Sequence, residues 1–260
     1  IEVGIAEQNV VGIAAGLASA GKRVFAVSPA CFLTARAFEQ IKVDVAYSDQ
    51  PVRVIGISAG VSYGALGATH HSLHDYAALR AVHNITVVAP ADNFETRETI
   101  RAIHRADHPI YVRLGKAPQP HVHPAGSRFI LGQTAQLREG RDLTFVACGE
   151  TVAPAVAAAD LLVAGGISCR VLSMHTLKPL DAAAVLAAAV ETRAIITVEE
   201  HSAHGGLGEA CAAVLLQAGA CVPFRIVGFP DEYMVTGSQA DIFQHYGISP
   251  AGLAATARAL

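Results

Sequence analysis

Side chains that suit proton transfer or anion binding are concentrated at a few places in the first half of the chain. Glu7 lies in the stretch GIAEQN, immediately before a run of small and apolar residues at helical spacing. The helix dipole alone favours a carboxylate at a helix N-terminus, so this position does not by itself identify a ligand. Spacing therefore leaves Glu7 open between a helix-end acid and a functional carboxylate.

Three histidines, His70, His71 and His74, follow a glycine-rich stretch that is typical of a loop. His70 and His74 would share one face of a helix, as metal ligands often do, but no neighbouring residues complete an obvious ligand set. We therefore predict no metal site in this chain. A loop histidine titrates near neutral pH, which suits acid–base catalysis or contact with an anion.

Aromatic and basic residues stand at two predicted strand ends. Phe32 begins the segment FLTARAFEQ, where it packs either into the core or against a planar ligand ring. Arg36 is four residues further on and shares that helical face. Arg113 ends a predicted strand and Lys116 follows it. Ligands of open α/β sheets bind beyond the carboxyl ends of the strands, so Arg113 and Lys116 are either candidates to hold a phosphate or solvated charges.

Short apolar runs alternate with helical patterns along almost the whole chain, which predicts an α/β fold with parallel strands covered on both faces. The predicted strands of the first half are 23–28, 52–57, 85–89 and 109–114, and its predicted helices are 7–20, 33–47, 74–83 and 93–106. The predicted strands of the second half are 142–148, 168–173, 193–199 and 223–228, and its predicted helices are 151–164, 181–190, 204–218 and 250–260. A proline-rich stretch separates the halves. We predict two domains, each a mostly parallel sheet flanked by helices, over 1–117 and 129–260, with a linker over 118–128.

The composition excludes several classes of protein. Hydrophobic residues make up 52% of the 260 residues and charged residues 16%, which is typical of a globular protein with a large core. A net charge of -3 favours neither nucleic acid nor an anionic membrane as a partner. No apolar run reaches the ~20 residues that span a bilayer. Five cysteines without a CxxC pair indicate reduced thiols, and we expect a cytoplasmic protein.

The order of several motifs is more informative than any one of them. GIAEQN, FLTARAFEQ, GATHH, YVRLGK, the proline-rich linker, LSMHTLKPLD and VEEHSAHGGLGEA follow one another along nearly the whole chain. In type, order and spacing this series resembles the superfamily of transketolase and 1-deoxyxylulose-5-phosphate synthase, which depends on thiamine diphosphate. It is most similar to the separate C-terminal subunit of split bacterial transketolases. Because GIAEQN stands so close to the first residue, Ile1, we expect that an N-terminal part of the first domain is missing.

The resemblance implies roles for the residues singled out above. Glu7 matches the family glutamate that hydrogen-bonds N1′ of the aminopyrimidine and promotes its imino form. Phe32 matches the aromatic residue that packs on the pyrimidine ring, and Arg36 is a weaker match to a cofactor-binding residue. His70 matches a substrate-contacting histidine with a catalytic role, and His71 stands beside it as a second substrate-binding candidate. Arg113 matches an arginine that holds the sugar phosphate of the substrate.

Two positions depart from the family pattern. Transketolases often read GEDGPTHQ where this chain reads GALGATHH, so an acidic residue that contacts substrate hydroxyls is replaced by Leu66. A second active-site histidine is replaced by Ser58. A site that loses a buried hydroxyl acceptor changes its substrate preference strongly. We therefore expect either an unusual ketose phosphate or a specialised biosynthetic reaction.

The resemblance also implies a partner. In the family, a GDG motif and a following asparagine bind Mg2+ and the diphosphate, and this chain has no GDG. The Mg2+ ligands are then expected on an N-terminal transketolase subunit that carries the diphosphate-binding domain, in a homodimer or heterotetramer that acts on sugar phosphates. The expected function is transfer of a two-carbon ketol unit. The alternatives are a 1-deoxyxylulose-5-phosphate synthase-like subunit, a 2-oxo acid dehydrogenase E1 β-like subunit and a non-catalytic paralogue.

Overall fold

The computed structural model describes all residues from 1 to 260, and its first half supplies four strands of a five-stranded sheet. The strands of this sheet lie in the order β1-β2-β4-β3-β8, and all are parallel except β8. They are β1 (Val24–Pro29), β2 (Val52–Ile57), β3 (Thr86–Val88), β4 (Ile110–Arg113) and β8 (Thr176–Lys178). Because four of the strands are parallel, the loops that leave their carboxyl ends lie at one edge of the sheet.

The second half forms its own five-stranded sheet, with the order β10-β9-β6-β7-β5. Only β5 runs antiparallel to its neighbour. The strands are β5 (Ala135–Arg138), β6 (Leu143–Ala147), β7 (Cys169–Ser173), β9 (Ile195–Ser202) and β10 (Phe224–Phe229). Every residue of β6 is buried, which is the physical reason why its sequence is apolar at almost every position.

Ten α-helices flank the sheets. They are α1 (Glu7–Ser19), α2 (Ala30–Arg36), α3 (Phe38–Gln40), α4 (Asp75–Ala81), α5 (Asn93–Ile103), α6 (Val152–Val163), α7 (Ala182–Glu191), α8 (Leu207–Gln217), α9 (Gln239–His245) and α10 (Pro250–Ala259). The single helix predicted over 33–47 is interrupted, because α2 ends at Arg36 and α3 continues as a π-helix over Ile41–Tyr47. None of the helices is long and apolar enough to cross a membrane.

The predicted class is confirmed: the chain is an α/β protein with two mostly parallel sheets flanked by helices. The halves are more closely joined than the sequence indicates. The short strand β8 follows β7 of the second sheet but pairs with Val87 and Val88 of the first sheet. Ala89 also donates a hydrogen bond to the carbonyl of His175 at 2.7 Å. The two sheets are therefore fixed relative to each other by backbone hydrogen bonds.

The segment over 118–128 contains no helix or strand, but a histidine anchors it to the first domain. His123 Nδ1 lies 3.0 Å from Asp92 Oδ2, and its Nε2 lies 3.0 Å from Glu95 Oε1. Burial opposes protonation of the ring, but hydrogen bonds and charge from Glu95 and Asp92 outweigh it and raise the pKa of His123. The linker is thus fixed by a buried, charged contact.

Candidate active site

Glu7 and Arg36 form an ion pair at one end of the candidate site. Glu7 is the first residue of α1, and Arg36 is the last residue of α2. Arg36 Nη1 donates to both carboxylate oxygens of Glu7, at 3.2 Å and 3.1 Å. The side chain of Glu7 is 6% exposed and that of Arg36 is 50% exposed. The carboxylate is therefore fixed in place, while its cationic partner is free to move.

Phe32 lies beside this pair. The guanidinium carbon of Arg36 is 4.2 Å from the centroid of the Phe32 ring, a cation–π distance. A short helix, α2, presents both side chains on one face because they are four residues apart. Arg36 thus stacks on Phe32 while it hydrogen-bonds Glu7. A planar, nitrogen-rich ring that replaced the guanidinium would find an aromatic face and a carboxylate in the same arrangement.

The loop after β2 extends the site with His70 and Tyr63. The ring of His70 meets Phe32 edge-on at 5.2 Å and meets Tyr63 edge-on at 5.5 Å, both between centroids. Lys116, just after β4, places its Nζ 4.9 Å from the centroid of the Tyr63 ring. The result is one row of contacting side chains with an anion at one end and a cation at the other. We call it the site row; it consists of Glu7, Arg36, Phe32, His70, Tyr63 and Lys116.

Sequence reasoning did not single out Tyr63. It stands six residues after β2 and immediately before the glycine-rich stretch, a position where an aromatic side chain has no periodicity to mark it. Its contact with His70 depends on the turn over Gly64–Thr69, in which Gly67 has a φ of 72°. That conformation favours glycine, so GALGATHH encodes the bend that brings His70 back to Tyr63.

His71 is more deeply buried than His70, which is half-buried. It is buried, and its Nε2 lies 3.0 Å from the carbonyl oxygen of Gly64, to which a ring N–H donates. Burial lowers the pKa of His71, so the ring stays neutral at physiological pH. A contact between His71 and substrate stays a prediction. Its ring ties the loop to itself, and no pattern in the sequence distinguishes it from the adjacent His70.

Arg113 ends β4, as the sequence predicts, but its side chain is buried. Its side chain is 3% exposed, and it pairs with Asp75 through Nε at 3.0 Å. Nη1 donates to the Tyr76 hydroxyl at 3.0 Å, and Nη2 donates to the carbonyls of Ser72 and Glu200 at 3.2 Å and 2.6 Å. Burial opposes its charge, but Asp75, Tyr76, Glu200 and Tyr111 together outweigh burial and raise the pKa of Arg113 well above its usual value.

Four of the five N–H groups of Arg113 donate to partners inside the protein, so at most one N–H, on Nη1, is left for a phosphate. A phosphate contact at Arg113 stays a prediction, and the burial of its side chain leaves it little access to a ligand. The sequence could not reveal its burial, because Asp75 and Glu200 are far from it along the chain. Lys116, three residues later and exposed, is the cation that remains at this end of the site.

The two departures from the family pattern both follow β2. Leu66 is 55% exposed, on the turn that precedes His70, so it presents an apolar surface where an acid would offer a hydroxyl acceptor. Ser58 is buried, with a φ of 51° in the left-handed region. A small side chain is the better fit there, because bulkier residues are strained in this conformation.

Two family models match this chain. The model described as transketolase, pyrimidine binding domain, matches residues 1–120. The chain belongs to the transketolase family. A second model, described as transketolase, C-terminal domain, matches residues 132–253. Apart from β8, which crosses to the first sheet, the two matched segments correspond to the two sheets described above.

Several curated relatives of this transketolase chain are named as separate subunits. It is 49% identical to an apulose-4-phosphate transketolase subunit of Phocaeicola vulgatus, over 99% of this chain and 82% of the relative. It is 38% identical to a 6-deoxy-6-sulfo-D-fructose transketolase subunit of a Clostridium species, over 96% of this chain and 77% of the relative. The predicted similarity to the C-terminal subunit of a split transketolase is thereby confirmed, and the chain is a component of a transketolase-like, thiamine-diphosphate-dependent enzyme.

Solved structures agree with this assignment. A structure described as a split gene transketolase, inactive beta4 tetramer, superposes with a TM-score of 0.89 at 36% identity. The superposition covers 99% of this transketolase chain and 82% of the other. The transketolase of Campylobacter jejuni superposes with a TM-score of 0.82 at 19% identity, over 39% of its length, which supports the fold alone.

Proposed function

We propose that this chain is the pyrimidine-binding half of a two-subunit enzyme that transfers a two-carbon ketol unit between sugar phosphates. The observation that supports it best is the shared arrangement of Glu7, Arg36 and Phe32. The buried carboxylate and the aromatic face already hold a planar, nitrogen-rich group, the guanidinium of Arg36. The aminopyrimidine ring of thiamine diphosphate has the same planarity and hydrogen-bonding edge, so these residues fit it.

Thiamine diphosphate, when bound, supplies the carbon nucleophile that cleaves a ketose. Glu7 would hold a proton at a ring nitrogen of the cofactor, because its carboxylate is buried at the start of α1 and hydrogen-bonds only Arg36. Phe32 packs against the face of the ring. Arg36 leaves its place over Phe32 and stays near the rim of the site, since half of its surface is already in solvent.

The chain's own residues do not fit a magnesium site. Mg2+ requires several oxygen ligands in an octahedral arrangement. The site row has a single carboxylate, Glu7, and both of its oxygens are paired with Arg36. We therefore propose that Mg2+ and the diphosphate bind to a partner chain, in line with relatives that are themselves named as single subunits of a transketolase.

For the substrate, we propose a ketose with an anionic group. His70 stands over the middle of the site row and is positioned to exchange a proton with a substrate hydroxyl, while Lys116 offers a charge to a phosphate. The relatives described above are named for apulose 4-phosphate and 6-deoxy-6-sulfo-D-fructose, both anionic at one end. Leu66 offers no hydroxyl acceptor, which favours such an unusual ketose over an ordinary one.

Binding and turnover measurements test this function. Thiamine diphosphate and Mg2+ are titrated calorimetrically into the chain alone and into the chain mixed with its diphosphate-domain subunit. Ketol transfer from apulose 4-phosphate to an aldose phosphate is then assayed, with CO2 release from pyruvate as the assay for synthase or dehydrogenase chemistry. We expect tight binding and ketol transfer only in the mixture. CO2 release without ketol transfer would replace the proposal with the synthase alternative.

A pair of variants tests the role of Glu7. Removal of a general acid–base group costs about 10²–10⁴-fold in rate, and we expect Glu7→Gln to lose ketol transfer to this extent. Glu2→Gln is the matched control, because Glu2 is an exposed acid in the same segment that contacts only the backbone N–H of Gly4. Full activity in Glu7→Gln would return Glu7 to the role of a helix-end acid.

A further inference from the structure

The loop that carries Tyr63, Leu66 and His70 is closed by its own backbone. Gly60 and Ser72 form a bridge in which the Ser72 N–H donates to the Gly60 carbonyl at 2.8 Å. Residues 60–72 therefore form a loop whose two ends are hydrogen-bonded to each other. We call this segment the substrate loop. We call the Gly60–Ser72 bridge the neck of this loop. Whatever fixes the neck also fixes the position of His70 and Tyr63 in the site row.

The neck rests on a carboxylate of the other domain. Glu200, on β9 of the second sheet, is 1% exposed, and its Oε1 accepts the backbone N–H of Val61 at 2.9 Å. Gly60 has a φ of 61°, and a Cβ placed on it would overlap the Glu200 carboxyl group. The glycine thus permits both the turn and the close approach of the carboxylate.

Glu200 is held from its own side by further contacts. Gln239 Nε2, at the start of α9, donates to Glu200 Oε1 at 2.7 Å and to Glu150 Oε2 at 2.5 Å. Arg113 Nη2 connects the carbonyl of Glu200 to that of Ser72, at the other end of the loop. Both ends of the substrate loop are therefore anchored to the C-terminal domain.

Glu199, which precedes Glu200 on β9, makes its contacts within its own domain. Glu199 is also fully buried, but its two oxygens accept the N–H groups of Leu207 and Gly208 at 2.7 Å and 2.8 Å. It caps α8 of its own domain. Side chains alternate between the faces of a strand, which is why two adjacent glutamates reach different domains.

We propose that Glu200 is a positioning residue for the substrate: through Val61 it sets where the substrate loop places His70 and Tyr63. It touches neither the cofactor nor the reacting atoms. The kinetic consequence rests on the proposed function, and it is a change in the affinity for the ketose phosphate more than in the rate of bond cleavage. The structural consequence, the order of the loop, does not depend on that function.

Three variants separate positioning from general stability. In the enzyme reconstituted from this chain and its partner, we expect Glu200→Ala to raise KM for the ketose phosphate about tenfold, the effect of one lost hydrogen bond. We expect kcat to change by less than about threefold. Glu200→Gln keeps an oxygen for the Val61 N–H, and we expect it to restore a KM close to that of the wild type. Glu199→Ala removes an equally buried carboxylate and should lower the melting temperature without raising KM.

Amide hydrogen exchange tests the same idea without turnover. In the chain by itself, we expect exchange within 60–72 to become faster in Glu200→Ala and to stay as in the wild type in Glu200→Gln and Glu199→Ala. Equal loop exchange in all four proteins would overturn the inference, as would a rise in KM for Glu199→Ala equal to that for Glu200→Ala. If the wild-type complex has no ketol-transferase activity, the proposed function fails, while loop exchange still decides the role of Glu200.

Discussion

Two arginine–carboxylate pairs in this molecule share the same chemistry and differ in their surroundings. Arg36 and Glu7 meet at the mouth of the site, with side-chain exposures of 50% and 6%. Arg113 and Asp75 meet between the domains, at 3% and 0%. The first arginine has one carboxylate partner and a ring to stack on, whereas the second also reaches Tyr76, Ser72 and Glu200. Burial therefore distinguishes a pair that is open to solvent on one side from a pair that is enclosed by the fold.

The buried pair also stands in a region with an excess of acids. Asp75, Glu150, Glu199 and Glu200 are all buried at the junction of the domains, and Arg113 is the buried cation among them. Burial and the charge of Glu150 raise the pKa of Glu200 to about 8, and burial raises the pKa of Glu199 to about 7. The raised pKa values of Glu199 and Glu200 favour their neutral forms, which lowers the cost of burying them at the junction.

Removal of Arg113 should cause the largest loss in the free energy of unfolding. Arg113→Met leaves Asp75 buried without its cation, and loss of one partner of a buried pair costs about 3–5 kcal/mol. We expect the free energy of unfolding, measured by urea denaturation of the purified chain, to fall by this amount. Arg101→Ala is the control, because Arg101 pairs with Glu98 on an exposed face and should change stability by less than about 1 kcal/mol. Equal, small effects of both variants would contradict the distinction.

The raised pKa of Glu199 should make the stability of the chain depend on pH. The pKa of Glu199 is higher in the folded chain than in the unfolded chain, so the folded chain binds more protons. Stability therefore falls as the pH rises from about 4.5, the ordinary pKa of a glutamate. For Glu199 the fall should end near pH 7, where its folded pKa lies. Its size is about 1 kcal/mol for each pH unit crossed.

Glu199→Gln checks this assignment, since an amide does not titrate. Urea unfolding at intervals from pH 5 to pH 8 should show the variant gaining stability relative to the wild type as the pH rises to about 7. Glu2→Gln serves as the exposed control, and its curve should run parallel to that of the wild type. Parallel curves for Glu199→Gln as well would mean that Glu199 is ionised in the folded protein.

His123 forms a second buried ionic contact, with Asp92 and Glu95, and we expect it to be of intermediate strength. His123→Gln removes a charge between Asp92 and Glu95, and we expect a loss of about 1–3 kcal/mol, as for a hydrogen bond to a charged group. The pKa of His123 is raised, so its contribution is present below about pH 6.5 and is lost as the pH rises through the folded value. Unfolding at pH 6 and pH 9 tests this: the variant and the wild type should differ at the lower pH and converge at the higher.

Sequence patterns predicted the regular parts of the fold because those parts depend on local periodicity. The longer strands, such as β2 and β6, are continuous apolar runs and were predicted within a few residues. The strands β5 and β8 were missed, since four and three residues carry too little pattern. Helix α9 was missed because it is polar, although its Ser238–Asp241 capping box is a readable start signal.

The site was predictable to the extent that it depends on neighbours in sequence. Phe32 and Arg36 share a helical face, and the structure brings them to Glu7 and His70. The burial of Arg113 depends on residues up to 87 positions away, and no local pattern shows it. The roles of these residues toward cofactor and substrate remain predictions.

The smallest effect is expected for Arg36→Ala. The pair with Glu7 is open to solvent on the arginine side, and such pairs contribute about 0–1 kcal/mol. Urea denaturation should therefore place the variant within about 1 kcal/mol of the wild type, close to the Arg101→Ala control. A loss comparable to that of Arg113→Met would contradict the comparison, because Arg36 would then be as structural as the buried arginine. A small loss means that the guanidinium can leave Glu7 and Phe32 at little cost, which is what a ring that uses the same two residues requires.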